Sequence, residues 1–91
     1  MVPRPAVVLT PKPIGPEGLL IWTVMVTNAR RPDWPGDVPI PEAESLGLLI
    51  PSKVRTAKIG AVEAGAATLI GRLPDDVWAE IDRLLRTYLG Y

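Results

Sequence analysis

Residues 19–27 (Leu-Leu-Ile-Trp-Thr-Val-Met-Val-Thr) run for nine positions without a charge, a proline or a glycine. The run is rich in aliphatic and β-branched side chains, which pack well on a pleated surface. Turn formers bound it on both sides, from Pro11 to Gly18 before it and from Asn28 to Pro35 after it. It is short for a helix and of the right length for a strand buried on both faces. Side chains alternate across a strand. Leu20, Trp22, Val24 and Val26 therefore share one face, and Leu19, Ile21, Thr23, Met25 and Thr27 the other. The even face is the more uniformly apolar and is expected to meet the core. The odd face ends in the hydroxyl of Thr27, at the C-terminal mouth of the strand.

The rest of the chain breaks into shorter pieces around this strand. Residues 6–10 (Ala-Val-Val-Leu-Thr) read as a strand that Pro11 stops, since proline cannot donate to a ladder. Gly15-Pro16-Glu17-Gly18 is a turn, so the two strands are expected to be antiparallel neighbours. Residues 28–36 form a loop that carries Arg30, Arg31 and Trp34. Residues 37–40 read as a short strand, and Pro39 confines it to a sheet edge. One helical turn is expected at residues 42–45. Residues 52–59 read as a strand ended by Gly60, with Lys53, Arg55 and Ala57 on one face. Residues 61–67 are small and turn-like, and residues 68–73 read as a last strand weakened by Gly71.

Residues 74–89 carry the clearest helical pattern. Pro74 suits a first turn, where its missing N–H is not needed. Asp75 and Asp76 lie where the helix dipole favours anions. Val77, Ile81, Leu84, Leu85 and Tyr88 fall on one apolar face, and Gly90 is placed to end the helix in a left-handed conformation. Trp22 and Trp78 read as core side chains. Five or six short strands with one terminal helix packed on them make a small, mostly β, barrel-like domain.

Composition limits the chemistry. Residues 1–91 are expected to form a single domain, near the lower size limit for independent stability. The chain has no cysteine and no histidine, which removes disulfides, thiolate metal sites and imidazole acid–base catalysis. A second copy of the chain is the easiest source of further burial. Ten basic and ten acidic residues cancel, so any attraction to nucleic acid has to come from local clustering. No segment reaches the roughly 18 apolar residues of a membrane-spanning helix, and a cytoplasmic location is expected.

Three segments together resemble the MazF/PemK (Kid) family of bacterial toxins. The first, Arg4-Pro5-Ala6-Val7-Val8-Leu9-Thr10, is similar to the family's R-P-x-V-V-L-S strand. The second is the apolar strand ending Val26-Thr27-Asn28, similar to a family strand that ends I-T-S or I-T-A. The third runs from Trp34-Pro35-Gly36-Asp37-Val38-Pro39-Ile40 through Gly47-Leu48 and Pro51-Ser52-Lys53-Val54-Arg55-Thr56-Ala57-Lys58-Ile59 to Ile70-Gly71-Arg72-Leu73 and the closing helix. The resemblance implies an SH3-like barrel with a C-terminal helix, the fold shared by the CcdB, MazF and Kid toxins, and a homodimer. It implies a metal-independent endoribonuclease without cofactors that cuts single-stranded RNA, inhibits growth and is blocked by a cognate antitoxin. The strand and Gly-rich loop that precede the R-P motif in the family have no counterpart before Arg4, which leads us to expect a barrel with an open edge. Some members carry an acidic residue, a candidate base, where this chain has Ala57.

By the resemblance, Arg4 and Thr27 are the catalytic pair. Arg4 would hold the phosphate, because its planar fork matches a phosphoryl group, and the Thr27 hydroxyl would donate to it. Arg55 is a second phosphate contact by the V-R match, with Lys53 beside it on the same face. Arg30, Arg31 and Trp34 are candidate RNA contacts, since a base can stack on an aromatic ring next to cations. No metal ligands are expected. Ala57 and the open edge keep a second reading in play: a shortened toxin-fold protein that binds an antitoxin or RNA without cutting. A gyrase poison of the CcdB type fits poorly, because those proteins act through a terminal Trp-Gly-Ile and this chain ends Leu89-Gly90-Tyr91.

Overall fold

The computed structural model of the protein describes residues 4–91. Among these, strands β1 (Ala6–Val8), β2 (Leu20–Asn28), β3 (Asp37–Ile40) and β4 (Ser52–Glu63) form one antiparallel sheet in the order β1-β2-β4-β3. The sheet curls into a half-barrel, closed on one side by helix α1 (Asp75–Leu89), which packs on β3 and β4. The apolar run at residues 19–27 is the central strand β2, and the residue 6–10 segment is its antiparallel neighbour, shortened to β1. β3 is an edge strand that contains Pro39. A 3-10 turn at Ala43–Leu46 lies where a single helical turn was expected.

The core is built from the inward face of the sheet and the apolar stripe of the helix. Val7, Val24, Val26, Val38, Ile40 and Val54 meet Ala43, Val77 and Ile81, with Leu73, Leu84 and Leu85 packed around them. The helix starts one residue later than its sequence implies, with Pro74 as the preceding cap and its carbonyl accepting from the Trp78 N–H. At the other end Gly90 adopts φ 84°, and the Gly90 and Tyr91 amides donate to the Thr87 and Arg86 carbonyls. This is the glycine-terminated stop that the sequence signalled. No helix of the described residues is long and apolar enough to cross a membrane.

Four expectations are corrected. Residues 68–73 are not a strand: Leu69 and Ile70 are exposed, and the segment passes beside the Ala43–Leu46 turn, close enough that a side chain at Gly71 would press on Leu46. Gly60 does not end β4, because it pairs with Thr23 and the strand continues to Glu63. A strand edge needs backbone partners, and β2 is long enough to supply them past the glycine. Third, the register slips between Val24, paired with Ile59, and Met25, paired with Arg55, which leaves Thr56, Ala57 and Lys58 as a bulge in β4. A bulge re-aims a strand. Beyond it Ile21 is buried and Trp22 is 49% exposed, the reverse of the even-face expectation, which holds at Val24 and Val26. Fourth, Trp78 sits at the edge of the helix stripe and is not a core residue either.

Candidate nucleic-acid interface

The face of the sheet turned away from the helix carries the residues singled out in the sequence. Val26, Val54 and Val38 point into the core, so alternation sends their neighbours Met25, Thr27, Lys53, Arg55 and Asp37 to the other face. Thr27 pairs with Lys53, and Arg55 pairs with Met25 on one side and Asp37 on the other. The Val26 amide donates to the Pro5 carbonyl, and Ala6 pairs with Met25. Arg4 precedes β1, and the same register extended two positions beyond Ala6 points it toward Thr27. Thr27 and Lys53 thus form a cross-strand pair of β2 and β4, and Arg4, on the chain entering β1, lies toward the same end of the half-barrel. Arg4 is exposed and Thr27 is half-buried.

Lys53 and Arg55 are not an open cationic surface. Their side chains are only 4% and 8% exposed, because residues 29–36 fold back over them. The Lys53 ammonium donates to the Arg31 carbonyl and to Asp33 Oδ1 (2.7 Å), and lies 3.4 Å from Asp37 Oδ2. The Arg55 guanidinium gives Nε to Asp37 Oδ1 (3.1 Å) and Nη2 to Asp37 Oδ2 (3.0 Å) and the Pro32 carbonyl (2.8 Å). Trp34 covers it, with the guanidinium carbon 4.2 Å from the ring centre. Desolvation and cation–π attraction reinforce each other in such a stack.

Asp37 joins these contacts. Besides Arg55 and Lys53 it accepts the Trp34 amide (3.0 Å), while its own amide donates back to the Trp34 carbonyl. Burial by itself pushes its carboxyl upward. The hydrogen bonds from Arg55, the Trp34 N–H and Lys53 outweigh that and hold it below the ordinary carboxylate range. The hydrogen bond to Asp37 raises Arg55 in turn, against the desolvation that lowers it. A bidentate arginine–carboxylate pair of this kind fixes geometry as well as charge.

The bulge adds a further tie. Thr56, 2% exposed, donates its hydroxyl to the Gly36 carbonyl (2.6 Å) and lies 3.0 Å from the Tyr88 hydroxyl on α1. Gly36 ends the covering loop at φ 89°, and a side chain there would run into Tyr88 and Thr56. The loop is thus anchored at Asp37 and Gly36, while its middle is open: Arg30, Arg31 and Asp33 are exposed and Trp34 is 44% exposed. Ala57 is exposed and offers no acid–base group. Among the described residues no three of His, Cys, Asp or Glu converge as metal ligands do.

All seven residues named from the sequence therefore fall on one face and its covering loop. Arg4, Arg30 and Arg31 are the exposed cations, and Lys53 and Arg55 lie beneath the loop. Asp33 and Asp37, which neutralise them, had no place in the sequence reading. The one available signal was the pair of aspartates four residues apart around Trp34-Pro35-Gly36, with two basic residues, Lys53 and Arg55, on a later strand. A model of a protein family described as "PemK-like, MazF-like toxin of type II toxin-antitoxin system" matches residues 2–89. No curated protein matches the chain.

Proposed function

The chain belongs to the PemK-like, MazF-like toxin family of type II toxin–antitoxin systems, and from that premise we propose that it is a metal-independent endoribonuclease that cuts single-stranded RNA and inhibits growth. Its partners are RNA and a cognate antitoxin that blocks the site, and its place of action is the cytoplasm. The observation that carries the reading is the cross-strand pair of Thr27 and Lys53 on the outer face, with Arg4 brought toward the same end when the β1–β2 register is extended two positions beyond β1.

In this reading the Arg4 guanidinium grips the scissile phosphate and the Thr27 hydroxyl donates to a non-bridging oxygen. Both strengthen as negative charge builds on the phosphorane, where the 2′-oxygen gives its proton to water and bonds to phosphorus and the 5′-oxygen leaves, taking a proton from water. Lys53 and Arg55 lie behind them, each paired with an aspartate. Arg30, Arg31 and Trp34 flank the path of the RNA strand. A homodimer is part of the proposal. Trp22, Ile59, Trp78 and Leu89 leave an exposed apolar groove between β2, β4 and α1, an area a second copy can cover.

A second reading, a binder that does not cut, draws on two observations: Ala57 carries no base, and Asp33 and Asp37 already neutralise Lys53 and Arg55. The deciding experiment incubates a long single-stranded RNA with the full chain in EDTA, beside Arg4→Ala. Fragments ending in a cyclic phosphate, absent with the variant, are expected from the nuclease. RNA left intact by the wild-type chain would favour the binder.

A further inference from the structure

The Lys53 ammonium has three N–H donors, and they face three oxygens of the protein. One is the Arg31 carbonyl, one is Asp33 Oδ1 at 2.7 Å, and the third direction is toward Asp37 Oδ2 at 3.4 Å. The three oxygens are held very differently. Asp37 is 5% exposed and fixed by Arg55, by the Trp34 amide and by its own place in β3. Asp33 is 87% exposed, and its only side-chain partner among the described residues is Lys53. A carboxylate that is almost fully hydrated loses little when it leaves an ion pair. Asp33 is therefore the replaceable ligand of a buried cation whose other contacts stay in place.

Lys53 also pairs with Thr27, at the end of the half-barrel toward which Arg4 lies. We infer that the Asp33 carboxylate occupies the place of an RNA phosphate on Lys53, so that the chain carries its own competitor for one phosphate of the strand it binds. This rests on the RNA-binding reading above and adds a subsite to it. A phosphodiester oxygen accepts from the ammonium as the carboxylate oxygen does, with the same single negative charge. When it does so, Asp33 swings into water, while the Arg31 and Pro32 carbonyls stay held by Lys53 and Arg55 and the loop keeps its path. Arg30 and Arg31, exposed on the same loop, then lie beside the incoming backbone. Asp33 is a positioning and gating residue in this scheme and takes no part in bond cleavage.

The test uses the full chain and a single-stranded RNA oligonucleotide with 2′-O-methyl groups, which cannot be cut. Binding is followed by fluorescence anisotropy, for wild type and Asp33→Asn, with the melting temperature of each recorded. In parallel, acetylation of Lys53 by a water-soluble succinimidyl ester is followed by mass spectrometry, with and without the oligonucleotide. Loss of an exposed pair corresponds to about a two- to fivefold change in an equilibrium constant. Asp33→Asn is therefore expected to bind the oligonucleotide two- to fivefold more tightly, to expose Lys53 to faster acetylation, and to regain protection when RNA is added. Tightening without any change in Lys53 reactivity would overturn the inference, because the gain would then come only from removing a negative charge. Unchanged or weaker binding by Asp33→Asn, with wild type still binding, would also overturn it and leave the RNA reading standing. If neither protein binds, the RNA reading falls and the inference with it.

Discussion

The Tyr88 hydroxyl of the C-terminal helix lies 3.0 Å from the Thr56 hydroxyl in the β4 bulge. Thr56 passes the tie on by donating to the Gly36 carbonyl at 2.6 Å. The helix, the bulge and the end of the loop that covers Lys53 and Arg55 are thereby joined through two hydroxyls.

Gly36 is the tightest point of this junction. Its φ of 89° is disfavoured for any residue with a side chain, and the space a Cβ would need is taken by Tyr88 and Thr56. Gly36→Ala is expected to destabilise the chain by about 2 kcal/mol or more, from left-handed strain and overpacking together. Tyr88→Phe, which removes one hydrogen bond, is expected to lower stability by about 1 kcal/mol. Because Phe vacates the space that Ala needs, the double variant should lose less than the sum of the two. Urea denaturation of all three variants measures this, and strict additivity would show that the two sites do not touch.

Asp37 sets the acid limit of the loop anchor. Its carboxyl titrates below the ordinary value in the folded chain, because hydrogen bonds from Arg55, Trp34 and Lys53 outweigh the upward push of burial. A carboxyl that is more acidic folded than unfolded favours the fold when ionised. That contribution is complete above the ordinary carboxylate pKa of about 3.9 and fades as pH falls through the lower folded value. Asp37→Asn is expected to lower the melting temperature at neutral pH, because it takes the charge away from between two buried cations. The difference from wild type should shrink as the pH is brought down past the folded value. A gap that stays constant from pH 7 to pH 2 would count against the assignment.

Two isoleucines separate the core from the proposed contact surface. Ile81 is fully buried between the helix and the sheet, while Ile59 is 59% exposed beside Trp22. Ile81→Ala is expected to remove about 2–5 kcal/mol, as large-to-small core changes do. Ile59→Glu should stay within about 0.5 kcal/mol of wild type in the monomer's own stability and shift the sedimentation of the chain toward the monomer. Sedimentation unchanged by Ile59→Glu would place any self-association elsewhere.

The sequence by itself determined the elements whose causes are local. The charge-free run at residues 19–27 became β2, Pro39 kept β3 at an edge, and the apolar stripe of residues 77–88 with Gly90 after it became a helix with a glycine stop. Alternation also put Thr27 on the odd face of its strand and Lys53 with Arg55 on one face of theirs, and the segment similarities pointed to the family that the comparison then showed. What tertiary structure alone decided is the state of that face. Residues 29–36 have no periodicity to read, and their path follows from where Asp33, Trp34 and Asp37 find partners on another strand. The bulge at Thr56–Lys58 depends on the register of two long strands and reverses the exposure of Ile21 and Trp22. Residues 68–73 have strand-like composition and enter no ladder of the sheet. In each case the deciding contact joins residues far apart in the chain, and burial of a charge is settled by its partner's position, which local sequence does not encode.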